Sequence, residues 1–255
     1  MIRVVSRIND WRKLRRSGEF EHRSLGFVPT MGNLHAGHLS LIERCCAENE
    51  LSVISIFVNP TQFDQQTDLE AYPRTLHDDL RMAEEAGVDY VLDPAFSELY
   101  PDEYRYKVTE SPLSREFCGA HRPGHFDGVL TVVLKLLLLV RPTRTYMGEK
   151  DYQQFLLIRD MVEAFFLETE IIPCPIVRDT DGLALSSRNR NLSPEERKLA
   201  SQFPALLKSP GTAKETAERL RKAGFEVDYV EDFDGRRLAA VRIGQTRLID
   251  NIDVP

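Results

Sequence analysis

His35 and His38 stand three residues apart at the head of a run in which Leu39, Ile42 and Cys46 recur at helical spacing. Before them an apolar stretch, Gly26-Phe27-Val28, halts at Pro29, and Thr30-Met31-Gly32-Asn33 makes a short turn. Both imidazoles then share one face of a first helical turn, where free N–H groups and the helix dipole favour an anion. Either histidine alone would pass for a cap or a packed core residue. Two of them, after a Gly-containing turn that follows a strand, point to phosphate chemistry. A helical zinc pair is spaced by four, and no third ligand motif follows.

Other residues could complete such a site. Lys150 sits where a short strand ends and the next helix begins, with Gln154 four residues on, so a point charge and an amide share one helix mouth; an ordinary surface lysine is the competing reading. Ser186, Ser187 and Arg188 offer short hydroxyl donors beside a forked guanidinium, the set that grips phosphate oxygens. Gln62, in a polar loop after a strand, is a substrate-contact candidate. Asp78 and Asp79 could hold hydrated magnesium with a triphosphate, but adjacent helical residues diverge by ~100°, and a solvated acidic face explains one of them equally well. A Cys118/His pair in the Gly- and Pro-rich loop up to Gly128 would suggest a cysteine nucleophile, yet nothing around Cys118 marks a tuned thiolate.

These residues need a scaffold that brings strand ends together. The chain has 255 residues, 42% hydrophobic and 29% charged, enough for one large domain or two modest ones. A net charge of -7 argues against a protein built to bind nucleic acid. The four cysteines include an adjacent pair, Cys45-Cys46, with neither disulfide-framework nor CxxC spacing, which fits a reduced cytoplasm. The basic N-terminus lacks a secretory h-region, and the most apolar stretch, 129–140, is too short for a membrane span and reads as a buried helix.

Strands are predicted near 26–28, 51–58, 88–92, 104–109, 145–147 and 170–177, the last at an edge or bulge because of Pro173 and Pro175. Pro73 is expected to open a helix ending at Gly87, and a further helix carries Phe155, Ile158, Val162 and Phe166. Beyond a boundary near 178–192, residues 195–223 read as helical with a break at Ser209-Pro210-Gly211. Ser193, Pro194 and Glu196 form a helix-start signature, and three short strands follow, separated by Asp234-Gly235 and Gly244-Gln245 turns. The fold class is α/β: a Rossmann-like parallel-sheet domain over residues 1–180 and a smaller C-terminal α+β lid over 181–255.

Five segments in order, PTMGNLHAGH, FVNPTQF, RPGHFDGV, GEKDYQQ and DGLALSSRN, resemble the pantothenate synthetase (pantoate-beta-alanine ligase) family of the HxxH nucleotidyltransferases. The resemblance spans nearly all of the first domain. It implies an ATP-dependent, AMP-forming ligase: pantoate is activated as pantoyl adenylate, then taken by β-alanine. Matching positions imply ATP binding by Met31, Gly32, Asn33, Leu34, His35, Ala36, Gly37 and His38, by Gly148, Glu149, Lys150 and Asp151, by Val177, and by Leu185, Ser186, Ser187 and Arg188. His38 falls at the proton-donor position, with His35, Lys150 and Arg188 as its catalytic companions. Gln62 falls where pantoate and β-alanine are met, and Gln154 where pantoate is. Magnesium with ATP, a homodimer, and a 178–190 loop that closes over ATP are also implied; nucleic-acid and membrane partners are not.

Two departures from the family pattern are the KLLLLV run at 135–140 and a C-terminal domain that reads as short. The competing functions are another HxxH nucleotidyltransferase of small molecules and an ATP-binding module without catalysis. An aminoacyl-tRNA synthetase is disfavoured by short length, acidic charge and the lack of a tRNA-binding domain.

Overall fold

A computed structural model describes residues 2–254. Six strands make one parallel sheet: β1 (Arg3–Val5), β2 (Leu25–Thr30), β3 (Leu51–Ile56), β4 (Tyr90–Leu92), β5 (Arg144–Gly148) and β6 (Glu170–Cys174), in the spatial order β1-β4-β3-β2-β5-β6. From β2 the chain winds outward through β3 and β4, then returns to add β5 and β6 on β2's other side. The order therefore reverses between β2 and β5, the place where open α/β sheets leave a crevice for ligands.

Proline sharpens that crevice. On the β5 side Leu25 O accepts from Thr143 N and Leu25 N donates to the Thr143 hydroxyl, so by the two-residue period Pro29 faces β5 as well. It has no N–H to give, and the β2–β5 ladder runs only through Gly26 and Phe27 before the strands part.

Helices cover both faces, which is why the central strands are apolar throughout instead of alternating. In chain order they are α1 (Ile8–Arg15), α2 (Ala36–Glu48), α3 (Gln66–Ala71), α4 (Leu76–Glu85), α5 (Phe96–Leu99), α6 (Cys118–His121), α7 (His125–Val140) and α8 (Tyr152–Ala164). Phe27, Val53 and Tyr90 point into a layer with Trp11, α7 and α8, whereas Val28, Ile54 and Val91 point into a layer with Ile42 and Ala83 of α2 and α4. Lys135, the charge within the apolar helix α7, reaches Asp102 at 2.8 Å and so keeps its ammonium paired while its stem is packed.

The C-terminal part holds α9 (Pro194–Ala200), α10 (Phe203–Lys208) and α11 (Ala213–Ala223), then an antiparallel meander of β7 (Glu226–Phe233), β8 (Arg236–Ile243) and β9 (Thr246–Asp253). Ser193 and Glu196 form the expected capping box, and Thr212 with Glu215 forms a second. Side chains of the meander alternate between two cores. Tyr229, Leu238 and Ala240 pack with α7 and α8, while Val230, Ala239 and Val241 pack with α9 to α11.

Several expectations change. Residues 104–109 form no strand; Val108 N is held instead by the Thr131 hydroxyl of α7. Pro73 does not open α4, which begins at Leu76, and α3 occupies part of the preceding polar loop. Phe166 lies beyond α8 in a left-handed conformation (φ 54) and is 91% exposed, so it is no core residue. β6 ends at Cys174 and is an edge strand, as its prolines require. The helical stretch after 193 breaks at Ser201 as well as at Ser209.

Candidate active site

The turn between β2 and α2 is built from two successive left-handed residues, Gly32 (φ 76) and Asn33 (φ 50). Asp79 of α4 holds it: one carboxylate oxygen accepts from Asn33 N at 2.9 Å, the other from Leu34 N at 2.8 Å, and the Thr75 hydroxyl adds a third bond at 3.1 Å. Asp79 is 2% exposed, and a Cβ on Gly32 would come within 2.8 Å of it. The two aspartates suggested for magnesium therefore differ in setting. Asp79 spends its lone pairs on turn amides, and Asp78 points to solvent beside His77. Among the described residues no three His, Cys, Asp or Glu side chains cluster as metal ligands would.

His35 caps α2, its Nδ1 accepting from Gly37 N at 3.1 Å, so Nε2 carries the proton. The His38 ring lies 4.1 Å away, centroid to centroid. Burial, followed by Lys150, lowers the pKa of His35 to about 4; burial, followed by the neighbouring His35 and Lys150, lowers that of His38 to about 3. Both imidazoles are neutral N–H donors until an anion arrives. His38 Nδ1 and Asn33 Nδ2 are buried without a protein partner, an arrangement a bound phosphate can satisfy.

Lys150 follows β5 at the same sheet edge, its Nζ 3.5 Å from Asp151. The C-terminal meander holds its backbone: Asn251 Nδ2 donates to Glu149 O at 2.8 Å and to Lys150 O at 3.1 Å, and Arg236 meets the Glu149 carboxylate at 2.8 Å. After β6 the chain makes a small hairpin, with Leu185 N donating to Val177 O, and Arg178 forks onto the buried Asp250 at 2.7 and 2.8 Å. Ser186 caps the turn 187–191 by accepting from Arg188 N. Two arginines then reach across, Arg188 to Asp68 of α3 at 3.2 Å and Arg190 to Asn33 Oδ1 at 3.0 Å. The 178–190 loop thus sits over the mouth of α2.

Beneath it is an inner cavity of about 260 Å³, lined by His38, Lys150, Gln62 and Gln154 together with the apolar Phe57, Val129, Val133 and Leu136. Pro175, Ile176, Val177 and Leu185 line it as well. A wider cleft of about 820 Å³ opens alongside and shares Lys150, Asp151, Gln154, Ser186 and Arg188. The arrangement brings anion donors, an apolar lining with amides and a covering loop to one crevice.

Not all of the site was foreseen. Asn59 turns Gln62 by donating to its Oε1 at 3.0 Å, and the RPGHFDGV segment, matched without a role, places Arg122 and His125 against the backbone of Gln62. The loop's density of Arg, His, Gly and Pro ahead of a buried helix was visible, but the carbonyl these side chains hold was not. Cys118 does not form a Cys/His pair: its thiol lies 3.1 Å from the Tyr229 hydroxyl and 3.5 Å from Arg247, while the His121 ring packs on Tyr229.

A family model for pantoate-beta-alanine ligase matches residues 3–253. The pantothenate synthetase of Coxiella burnetii is 54% identical over 252 residues, covering 99% of this chain and 97% of that protein. That of Bdellovibrio bacteriovorus is 52% identical over 254 residues, covering 100% and 99%. Among solved structures, the pantoate-beta-alanine ligase of Francisella tularensis, complexed with beta-gamma ATP and beta-alanine, superposes with a TM-score of 0.94 at 38% identity over 99% of this chain and 98% of that one. The Thermus thermophilus enzyme superposes with a TM-score of 0.90 at 41% identity over 99% of each chain. By sequence and by fold along nearly its whole length, the chain belongs to the pantoate-beta-alanine ligase family.

Proposed function

We infer that this ATP-dependent ligase, which condenses pantoate with β-alanine, works in two steps at the β2/β5 crevice. One observation carries the reading: His35 and His38 at the mouth of α2 line one pocket with Lys150, Arg188, the amides of Gln62 and Gln154 and the apolar Phe57, Val129 and Val133. That pocket suits a small branched hydroxy acid, its methyl groups on Phe57, Val129 and Val133 and its polar groups on Gln62 and Gln154. A carboxylate oxygen of pantoate attacks the α-phosphorus of ATP, forming the acyl–phosphate bond as the bond to pyrophosphate breaks. The amine of β-alanine then attacks the acyl carbon, AMP leaves with the bonding pair, and the amine sheds a proton.

In this reading Lys150 and Arg188 meet the charge on the phosphorus and the departing pyrophosphate, and His35 and His38 donate N–H groups to the phosphates. Negative charge at the helix mouth raises the imidazole pKa values, which lets His38 pass a proton to the leaving group. Met31 to His38, Gly148 to Asp151, Val177 and Leu185 to Arg188 line the nucleotide's path. Magnesium enters as the triphosphate's own hydrated counter-ion, which needs no protein cage. Residues 1–180 act as the ATP- and pantoate-binding unit and residues 181–255 as its lid. Four free cysteines suit a reducing cytoplasm, and a homodimer, implied by the resemblance, is checked by light scattering.

The test is product analysis with Mg-ATP and pantoate, with and without β-alanine. AMP and pantothenate formed one for one, only with both substrates, is the expected result, together with pyrophosphate exchange on pantoate alone. Adenylylation of a different acceptor would favour another nucleotidyltransferase, and ATP binding without exchange would favour a non-catalytic module.

A further inference from the structure

We propose that His125 is a positioning residue for pantoate activation: clamped by the Asp64–Arg122 pair, it fixes the backbone of Gln62 so that the Gln62 amide faces the substrate. The proposal rests on the pantoate-activating reading above and adds to it a three-residue brace behind the pocket.

Arg122 makes three directed contacts, Nε to Asp64 Oδ1 at 3.0 Å, Nη1 to His125 Nε2 at 3.0 Å and Nη2 to Gln62 O at 3.3 Å. A guanidinium only donates, so His125 Nε2 must accept, and the ring proton sits on Nδ1. Nδ1 lies 2.7 Å from Gln62 O and donates to it. The tautomer is thus fixed by Arg122, and the main-chain carbonyl of Gln62 receives two donors. At its other end Gln62 is held through Oε1 by Asn59, whose remaining amide proton goes to Gly128 O at 3.2 Å. With the carbonyl and Oε1 both committed, the Nε2 amide is the group left to meet a ligand in the inner cavity.

The helix that carries His125 is placed for this role. A Cβ on Gly128 would lie 2.4 Å from Thr61 O, so only glycine lets the first turn of α7 press against the 60–62 segment and bring the imidazole within reach. His125 is 8% exposed and lines both cavities, as does Arg122. A buried histidine that merely filled space would not need both ring nitrogens committed, one to a charged partner and the other to the backbone of a substrate-contact residue.

The discriminating experiment uses the full chain in pantoate-dependent pyrophosphate exchange, measuring KM for pantoate and for ATP separately. His125→Ala should raise KM for pantoate by about tenfold or more while KM for ATP moves less than about twofold, since displacement of one contact by an ångström suffices for such losses. His125→Asn, whose amide N–H falls near the position of Nδ1, should recover most of that loss. Arg122→Lys, which keeps a charge for Asp64 but cannot serve His125 and Gln62 together, should show a smaller, equally pantoate-specific rise and decides the matter if His125→Ala does not fold. Equal shifts in both KM values, no shift in either, or an Asn variant as impaired as the Ala variant would each overturn the positioning role. Absence of pantoate-dependent exchange in the wild-type protein would instead remove the activation reading, before any variant is compared.

Discussion

In the proposed mechanism His38 and Lys150 meet the same phosphates by different means. The imidazole enters neutral, because burial, with His35 and Lys150 close by, lowers its pKa to about 3, so it acts through a directed N–H; the ammonium acts as a point charge. Loss of one preorganised donor of this kind costs ~10² to 10³ in turnover. His38→Ala and Lys150→Ala should each lose that much in steady-state kcat with little change in the thermal melt, and near-wild-type turnover in either would remove it from the mechanism. The histidine pair, Lys150 and the Ser-Ser-Arg cluster were readable because helix mouths and strand ends show in local sequence. Asp79 was not. Its carboxylate accepts turn amides distant in the chain, and an acidic residue on a predicted helix looks the same whether it faces water, a metal or a backbone. His125 escaped for the same reason, since its partner is a carbonyl and carbonyls leave no trace in residue type.

At the scale of elements, the covering loop is tied down at its tip by two long side chains. Arg190 holds Asn33 of the nucleotide turn and Arg188 holds Asp68 of α3, whereas Arg178 anchors the loop's base on buried Asp250. Arg190→Ala removes a tip contact and leaves the base intact. With roughly 1 kcal/mol lost from the closed state, the open population rises about fivefold. Limited proteolysis within 178–191 should speed up accordingly, and AMP should exceed pantothenate as water reaches the acyl adenylate. Unchanged cleavage with strict one-to-one products would mean the loop does not gate the site. The central strands were legible because residues buried on both faces are uniformly apolar, and the edge position of β6 showed in its prolines. The expected strand at 104–109 failed because its alternation arises from an irregular segment leaning on α7, with Tyr104 at a positive φ of 62. The order of strands, and hence the β2/β5 crevice, follows from crossovers and is not written in any local pattern.

For the molecule as a whole, the site and its brace bring an acid sensitivity. Burial lowers the pKa of His35 to about 4 and of His38 to about 3; burial followed by the Arg122 charge lowers that of His125 to about 3. In the unfolded chain these rings titrate near 6.5, so as pH falls below that value the unfolded state takes up protons that the folded state refuses. Stability therefore declines from about pH 6.5 downward and continues to fall until the folded pKa values are reached. The carboxylates whose pKa is lowered, Asp64 and Asp228 among them, add their own loss only as pH approaches the ordinary carboxylate range, leaving the window above about pH 5 to the histidines. His125, buried and neutral, accounts for ~2 kcal/mol of this loss by about pH 5. Chemical denaturation of wild-type protein and His125→Asn at about pH 7 and about pH 5 isolates the effect, because asparagine keeps the N–H near Gln62 and cannot take a proton. Wild type should lose ~2 kcal/mol more than the variant between the two pH values. Parallel losses would show that His125 is already charged in the folded protein, which would leave its Nε2 no lone pair to accept from Arg122.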